Sequence, residues 1–221
     1  MTQVKVHLEC IVEGPGELRA APLLVQRWLQ RKQRREAARY AWSVDAVVAH
    51  GCDRIKHPPD PRRPLGVERF VAAAIGKGAH GVLVLIDADD EAPAELESSL
   101  LQRAQAAARR GTTRVPVGVA VANREYEAWL LADLWTLRRA GLFPPANRLE
   151  SLVSPEVPRD CKALVRQLLG RAYEAPLHQP MLTAALSYNR GSRRRSPSFH
   201  RLSHVLVKLL REARRYALTH P

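Results

Sequence analysis

Acidic residues follow three apolar segments of the chain, at the points where β-strands are expected to end. Glu13 comes directly after the first apolar segment, and Asp87 and Asp89 follow a later one. Glu125 and Glu127 follow a further apolar segment. In open α/β sheets, chemically active side chains gather at the carboxyl ends of the strands. We therefore expect these carboxylates to meet at one edge of a sheet.

The acidic residues around Asp87 have no basic neighbours in sequence. Residues 82–102 contain no Lys or Arg but six acids: Asp87, Asp89, Asp90, Glu91, Glu95 and Glu97. Carboxylates that converge raise their own pKa values unless a cation neutralises them. Mg²⁺, or Mn²⁺ in its place, binds carboxylates together with water and phosphate oxygens. Helix capping would account for acids near a helix start, but it does not account for an acid at the end of a strand, Asp87, together with Glu13. The sequence therefore predicts a divalent cation.

Two further carboxylates are candidates for the same site. Glu17 lies four residues after Glu13, so in the first turn of a helix it would point back toward Glu13. It would then help to hold one ion, or two ions about 3.5–4 Å apart. The alternative is that its negative charge only stabilises the positive end of the helix dipole. Glu125 and Glu127 would face about 200° apart on a helix, so we expect at most one of them in the site. We choose Glu127, because Trp129 beside it suggests a buried anchor.

The chain as a whole is strongly basic despite these acids. Its 221 residues include 35 Lys and Arg against 22 Asp and Glu, which gives a net charge of +13. Such an excess is typical of proteins that bind nucleic acid or another polyphosphate. A genome-wide bias toward Arg is the alternative explanation.

The positive charge is concentrated near the C-terminus. Residues 186–221 contain nine Lys and Arg and one acid, Glu212. We predict that Tyr188–Arg195 is a flexible basic loop that clamps a phosphate backbone, with Tyr188 or Phe199 stacking on a base. The predicted nucleic-acid contacts are Arg190, Arg193, Arg194, Arg195 and Arg201. A solvated face or an anchor for a partner subunit is the alternative.

The elements that would position these residues follow from the apolar pattern. Strands are predicted at 4–12, 42–49, 81–86 and 115–122, helices at 17–40, 66–77 and 92–110, and a proline-rich loop at 50–64. Further helical segments are predicted at 125–137, 159–169, 180–186 and 197–218. The alternation predicts an α/β fold with a four-stranded, mainly parallel sheet flanked by helices. We expect residues 1–133 to form this domain and residues 134–221 to form a helical, basic extension packed on it.

Several classes of protein are excluded. The three cysteines are too far apart for a CxxC zinc site, and their odd number argues against a disulfide framework. No apolar run approaches the ~20 residues needed to span a bilayer, and the N-terminus lacks the features of a secretory signal, so we expect a cytoplasmic protein. Arg19 stands where a dinucleotide-binding loop would have its third glycine, and no nucleotide cofactor is predicted.

Two of the acidic motifs resemble a known domain. Glu13-Gly14 after the first predicted strand and Asp87-Ala88-Asp89 after the third resemble the TOPRIM domain of topoisomerases, bacterial primases and overcoming-lysogenization-defect nucleases. The resemblance implies a Rossmann-like sheet, Mg²⁺ bound by the two Asp residues, and Glu13 as metal bridge, acid or base. Glu17 matches a second acid of the nuclease branch. Lys162 would contact a phosphate oxygen, as a lysine does in those nucleases, or would be a solvated helix residue.

Longer segments resemble a narrower family. Residues 12–17 and 125–133, together with Pro155-Glu156, Lys162, Tyr173 and Ser196-Pro197-Ser198-Phe199, resemble the bacterial TOPRIM-related family DUF4276, whose function is unknown. This likeness covers nearly the whole chain. Its relatives imply a role in phage defence, often with an ATPase encoded alongside.

These inferences lead to one preferred function and two alternatives. We expect a Mg²⁺-dependent nuclease or other phosphodiesterase, in which the metal activates water and the basic tail holds nucleic acid. The alternatives are a non-catalytic subunit that binds nucleic acid or an ATPase, and a small-molecule phosphotransferase; a homo-oligomer is compatible with each. The predicted catalytic residues are Glu13, Asp87, Asp89 and Lys162, and the predicted metal ligands are Glu13, Glu17, Asp87, Asp89 and Glu127.

Overall fold

The strands that the structure describes form one parallel sheet and one short antiparallel pair. A computed structural model describes residues 3–32, 39–57, 66–110, 113–144 and 154–220. The strands in these ranges are β1 (Val4–Val12), β2 (Tyr40–Val48), β3 (Gly81–Asp87), β4 (Arg109–Arg110), β5 (Thr113–Arg114) and β6 (Val117–Ala122). The main sheet has the order β2-β1-β3-β6, and all of its neighbouring strands pair in parallel. The predicted α/β fold is therefore confirmed.

Helices account for most of the remaining described chain. Those before β6 are α1 (Pro15–Lys32), α2 (Asp53–Lys56), α3 (Val67–Gly76) and α4 (Pro93–Ala107). Those after β6 are α5 (Glu127–Ala132), α6 (Leu134–Arg139), α7 (Cys161–Leu169), α8 (Ala175–Ala184), α9 (Arg190–Arg195) and α10 (Pro197–Thr219). None of the helices in the described ranges combines the length and apolar character that crossing a membrane requires.

The helices cover both faces of the sheet. On one face, Leu83 packs in a cluster with Leu24 from α1 and Leu206 from α10. On the other face, Val84 packs in a cluster that includes Leu100 from α4. Every residue of β3 is buried, which explains its continuous apolar sequence. The core thus includes α10 from the C-terminal part of the chain, and the division of the chain at residue 133 stays a prediction.

Two strand glycines let α10 approach the sheet closely. A Cβ at Gly118 of β6 would lie 2.8 Å from Cγ1 of Val205 on α10. A Cβ at Gly81 of β3 would lie 3.0 Å from Cβ of Ala213, also on α10. Larger residues at these positions would push the helix away from the strands.

The structure corrects several helix boundaries: the helix predicted at 92–110 ends at Ala107, before β4, and the helix predicted at 180–186 spans Ala175–Ala184. The predicted helix at 17–40 is described as α1 only to Lys32, and Tyr40 belongs to β2, where it pairs with Val4; residues 33–38 lie outside the described ranges. The predicted helix at 125–137 is divided into α5 and α6 at Asp133, whose backbone is not helical. The Asp133 carboxylate accepts hydrogen bonds from the N–H (2.5 Å) and hydroxyl (2.8 Å) of Ser187, which favours a break there over a continuous helix.

Two predicted loops contain helices. The prediction that Tyr188–Arg195 forms a flexible loop is wrong, because residues 190–195 form α9. Asn189 caps this helix by accepting a hydrogen bond from the N–H of Ser192 at 2.8 Å. The predicted loop at 50–64 contains the single-turn helix α2, and its residues 58–64 lie outside the described ranges.

Candidate functional site

Glu13 lies at the carboxyl edge of the two central strands. The β1–β3 pairing sets Val12 opposite Leu85, so the chain brings Glu13 beside the end of β3. Burial raises the pKa of the Glu13 carboxyl, and the charges of Asp89 and Glu17 raise it further, whereas Lys56 and the backbone N–H of Asp87 oppose this effect. The proximity that the sequence predicted between Glu13 and the acids after β3 is therefore present in the structure.

Asp87 ends β3 inside the protein rather than at its surface. Its residue exposure is only 7%. Burial raises the pKa of Asp87 well above its ordinary value, and the nearby charges of Glu127, Glu17 and Glu13 add to the increase, while Lys162 opposes it. Four carboxylates from β1, α1, β3 and α5 thus converge at one edge of the sheet.

Gln179 of α8 joins two of these carboxylates. Its Nε2 donates to Oε1 of Glu17 at 2.9 Å and to Oε1 of Glu127 at 2.8 Å. The hydroxyl of Tyr173 also donates to Oε1 of Glu127, at 2.7 Å. A Cβ at Gly16 would clash with the Gln179 side chain, so the glycine in the first turn of α1 makes room for this contact. Nothing in the sequence pattern marked Gln179 as part of the site.

Lys162 brings a positive charge into the acidic cluster from α7. Its Nζ lies 2.9 Å from Oε1 of Glu125, 3.8 Å from Oε2 of Glu127 and 3.9 Å from Oδ2 of Asp87. Although burial disfavours its charge, these carboxylates raise the pKa of Lys162, so the side chain is held as an ammonium. The backbone N–H of Lys162 also donates to Oε2 of Glu125 at 3.0 Å, which fixes the first turn of α7 against the loop after β6.

The expectation that only one of Glu125 and Glu127 enters the site is wrong. Both carboxylates approach the Lys162 ammonium. The helical spacing argument fails because α5 begins at Glu127, and Glu125 lies in the preceding turn, where Arg124 has a left-handed φ of 69°. Glu127 is fully buried, and this burial raises its pKa although Lys162, Tyr173 and Gln179 oppose the shift.

Three buried carboxylate oxygens in this cluster accept no hydrogen bond from the residues that the structure describes. They are Oε2 of Glu13, Oδ1 of Asp87 and Oε2 of Glu127. An ionised carboxylate is an acceptor with about four lone-pair sites, and a buried acceptor without a donor destabilises the fold. All of these atoms are oxygens, the ligand type of a hard divalent cation such as Mg²⁺ or Mn²⁺, although no three described carboxylates of the cluster have oxygens within 4.8 Å of one another.

Asp89 lies at the rim of this cluster. Its side chain is 54% exposed, and its Oδ2 lies 3.1 Å from Nζ of Lys56 on α2. Lys56 also pairs with Glu91 at 2.9 Å. The absence of basic residues within 82–102 therefore does not leave these acids unpaired, because Lys56 reaches them from a segment that the sequence predicted only as a loop. Asp89 still acts on Glu13 through its charge.

A cavity opens beside the Lys162 ammonium. Its volume is about 530 Å³, and its walls include Glu125, Asp160, Lys162, Arg166 and Tyr173. Lys162 and Arg166 place positive charge on the cavity wall, and Lys162 links the cavity to Asp87 and Glu127. A small anionic group in this cavity would therefore lie next to the acidic cluster.

Several residues of the quoted motifs have structural roles. The Glu156 carboxylate accepts hydrogen bonds from the Ser196 hydroxyl, from the N–H and hydroxyl of Ser198, and from the Asn123 side chain, at 2.5–3.0 Å. The Trp129 indole N–H donates to the Ser198 hydroxyl at 2.8 Å. These bonds connect the loop after β6, α5 and the start of α10.

The predicted base-stacking residues are buried. Tyr188 stacks on Phe199 with ring centroids 5.2 Å apart, and its hydroxyl donates to the carbonyl of Leu24 at 2.7 Å. The prediction that Tyr188 or Phe199 stacks on a base is therefore wrong, because both rings fill the core.

The five predicted arginine contacts differ in exposure. Arg190 and Arg194 are exposed on α9, whereas Arg193 and Arg195 are partly buried. Nε of Arg195 donates to the carbonyl of Ala132 at 3.0 Å, and Nε of Arg193 donates to the carbonyl of Asn189 at 3.4 Å. Arg201 on α10 is partly buried and lies 3.8 Å from Glu97. Arg190 and Arg194 are thus the two of the five that face solvent most fully.

A second cluster of potential ligands lies on β1 and β2. Nε2 of His7 lies 3.4 Å from Oε2 of Glu9 and 3.2 Å from Oδ2 of Asp45, and these atoms lie within 4.8 Å of one another. Lys77 pairs with the other oxygen of Glu9 at 2.9 Å. The buried charge of Glu9 is therefore balanced by basic side chains.

The sequence can now be compared with known families. The model of a family described as "Domain of unknown function (DUF4276)" matches residues 12–206. The chain belongs to this family. The DUF4276 match covers every carboxylate of the acidic cluster, as well as Lys162, Gln179 and the exposed arginines of α9. No curated protein and no solved structure matches the chain.

Proposed function

We propose that the carboxyl edge of the sheet binds Mg²⁺ or Mn²⁺ and that this DUF4276 protein hydrolyses phosphodiester bonds in nucleic acid. The observation that carries the proposal is the set of three donorless buried oxygens, on Glu13, Asp87 and Glu127. The positions of Glu13 after β1 and of Asp87-Ala88-Asp89 after the adjacent strand β3 support kinship with TOPRIM nucleases. That kinship supports a role in phage defence.

The chain would hold the metal through carboxylates that share one edge of the sheet and would move closer together around the ion, since the group of three ligand atoms that the described residues bring within 4.8 Å of one another is that of His7, Glu9 and Asp45. Glu13, Asp87 and Glu127 would contribute their donorless oxygens, and Glu17 would be drawn in from the hydrogen bond with Gln179. When bound, a divalent ion polarises a phosphoryl oxygen and lowers the pKa of a bound water. Asp89 at the rim would be oriented by Lys56.

Side chains of the cluster and its cavity would accept the proton from water and bind the phosphate. If Glu13 instead leaves its Oε2 off the metal, the raised pKa of its carboxyl would make it accept a proton from water more readily than an ordinary glutamate. Lys162 and Arg166 would hold phosphate oxygens in the cavity. The exposed arginines of α9 would bind the backbone of the same nucleic acid away from the reacting bond.

The test compares Asp87→Asn with Asp90→Asn. Asp90 is an exposed acid three residues away that pairs with Arg124 at 2.7 Å, so the control changes the same functional group outside the cluster. Linear and circular DNA and single-stranded RNA are incubated with each protein in Mg²⁺ or Mn²⁺, and products are resolved on gels. We expect Asp87→Asn to lower cleavage by about a hundredfold or more and Asp90→Asn to retain it.

Metal binding is measured separately by titrating Mn²⁺ and following its electron paramagnetic resonance signal. Wild-type protein that neither binds Mn²⁺ nor cleaves any of these substrates would overturn the proposal. So would an Asp87→Asn variant that cleaves as well as wild type.

The second candidate function is a non-catalytic subunit that binds nucleic acid or a partner ATPase. The ion pairs of Lys162 with Glu125 and of Lys56 with Asp89 favour it, because they neutralise part of the cluster without a metal. In cells challenged with phage, this function predicts that Asp87→Asn retains protection, whereas Arg190→Glu with Arg194→Glu abolishes it. The hydrolase predicts that both variants lose protection.

A further inference from the structure

A tryptophan on α6 is exposed although large aromatic side chains usually pack inside proteins. Trp135 is 60% exposed. It is the one aromatic residue among the exposed large hydrophobic residues in the described ranges, and the others are aliphatic. Trp28 and Trp129, in contrast, are almost fully buried. The exposure of Trp135 leaves most of a large flat ring accessible to a ligand.

Arg139, one turn further along the same helix, makes a cation–π contact with the Trp135 ring. The guanidinium carbon of Arg139 lies 4.7 Å from the ring centroid, within the range of cation–π attraction. Residues four apart on a helix are neighbours on its surface. The contact therefore restricts the motion of the indole and places a positive charge beside it.

Hydrogen bonds join this part of α6 to the basic helix α9. The Asp133 carboxylate, just before α6, accepts from the Ser192 hydroxyl at 2.6 Å and from the Asn189 side chain at 3.2 Å. Asn189 and Ser192 lie at the start of α9, so the beginnings of the two helices meet. Trp135 therefore lies close to the helix that carries Arg190 and Arg194.

Both helices are rich in positive charge. The sequence of α6 is LWTLRR and that of α9 is RGSRRR, and neither contains an acidic residue. An exposed flat ring beside Arg139, with further arginines on both helices, matches the combination that binds single strands, in which bases stack on aromatic rings while basic side chains contact phosphates. In a duplex, the bases stack on each other and their faces are not available.

We propose that Trp135 stacks on an unpaired base of single-stranded nucleic acid while arginines of α6 and α9 bind its phosphates. The inference deepens the proposed function, on which its nucleic-acid substrate rests, by naming single strands as the substrate class. Exposed tryptophans beside arginines also occur in protein interfaces. The basic, acid-free composition of both helices favours the polyanion.

The experiment measures binding without hydrolysis. Fluorescein-labelled dT and U 12-mers, and a DNA duplex of the same length, are titrated in EDTA and followed by anisotropy with wild type, Trp135→Ala and Trp135→Phe. Leu218→Ala is the matched control, because Leu218 is a 48% exposed apolar residue at the far end of α10. Thermal unfolding of each variant verifies that it is folded.

We expect Trp135→Ala to weaken single-strand binding about tenfold and Trp135→Phe to weaken it less, while Leu218→Ala binds as wild type. Duplex binding should change less than single-strand binding. The loss should be similar at low and high salt, because stacking releases few counterions, whereas Arg190→Ala should reduce the salt dependence. A dU 12-mer, which differs from the U 12-mer only in the sugar, identifies the preferred sugar.

Three results would overturn the inference. The first is that Trp135→Ala binds single strands as tightly as wild type. The second is that it loses duplex binding and single-strand binding equally. The third is that the substitution changes the oligomeric state, measured by light scattering, but leaves oligonucleotide binding intact. That result would identify a protein interface. Binding is measured in EDTA and does not depend on hydrolysis. If Trp135→Ala weakens single-strand binding but the wild type cleaves nothing in Mg²⁺ or Mn²⁺, the nuclease proposal fails and this inference stands.

Discussion

The protein contains two kinds of buried carboxylate. Asp133 and Glu156 accept hydrogen bonds from hydroxyl, amide and backbone donors on several elements. Asp87 and Glu127 are buried to a similar degree, yet each has an oxygen with no donor. They also lie among other carboxylates that raise the pKa of Asp87.

The difference distinguishes carboxylates that hold the fold together from carboxylates that we propose bind a ligand. A buried charge is tolerated when donors satisfy it, and it destabilises the protein when they do not. Asp133 therefore stabilises the junction of α5, α6 and α9. Asp87 contributes repulsion, which a divalent cation would convert into attraction.

The largest effect on stability is expected from Asp133→Ala. The substitution would leave the backbone N–H and hydroxyl of Ser187 and the hydroxyl of Ser192 without their acceptor, and Asn189 would lose one of its acceptors. We expect the free energy of unfolding to fall by about 3–5 kcal/mol, as measured by urea denaturation. Asp90→Ala, which removes an exposed acid, is the control. A loss below about 1 kcal/mol would show that the network does not anchor these helices.

An intermediate effect is expected from divalent cations. A cation that binds only the folded protein stabilises it by about 2.7 kcal/mol at a hundred times its Kd, so Mg²⁺ or Mn²⁺ should raise the Tm of the wild type. Asp87→Asn should largely abolish the increase, whereas Asp90→Asn should retain it. Differential scanning fluorimetry measures the shift, and Ca²⁺ tests selectivity. An equal increase in all three proteins would place the cation elsewhere.

The smallest effect is a pH dependence in metal-free buffer. Burial and the charges of Glu127 and Glu17 raise the pKa of Asp87 above its ordinary 3.8, so the folded protein binds this proton more tightly than the unfolded chain. Stability is therefore lost as pH rises from 3.8 through the raised folded pKa. Asp87→Asn lacks this ionisation, and its advantage over wild type should grow with pH.

Urea denaturation in EDTA at pH 5 and at pH 8 measures this advantage. Asp133→Asn serves as the comparison from the other class of carboxylate, since Asn cannot accept as many hydrogen bonds and should be less stable than wild type at both pH values. If the difference between Asp87→Asn and wild type stayed constant with pH, repulsion in the cluster would not be the cause.

The sequence was sufficient to predict the sheet and much of its acidic edge. Apolar runs such as 81–86 allow few structures other than a buried strand, and the carboxyl ends of parallel strands meet wherever such a sheet forms. These two local rules were enough to predict that Glu13 and Asp87 lie close together. They needed no knowledge of how the C-terminal helices pack.

What the sequence did not predict depends on distant parts of the chain. Gln179 contacts Glu17 across 162 positions, and Lys56 reaches Asp89 from a short helix without an apolar pattern. Tyr188 resembled an exposed stacking residue because its neighbours are basic, but its ring completes a core formed by α1 and α10. Only tertiary packing decides such contacts.

The glycine at position 118 has a consequence for how the family can vary. Because α10 rests on this residue and follows α9 after Ser196 alone, a methyl group on β6 would shift the arginines of α9 as well as the helix it touches. A side chain at position 118 should therefore evolve together with a smaller residue than valine at position 205. Members with this paired exchange would keep the same spacing between their arginines and their acids.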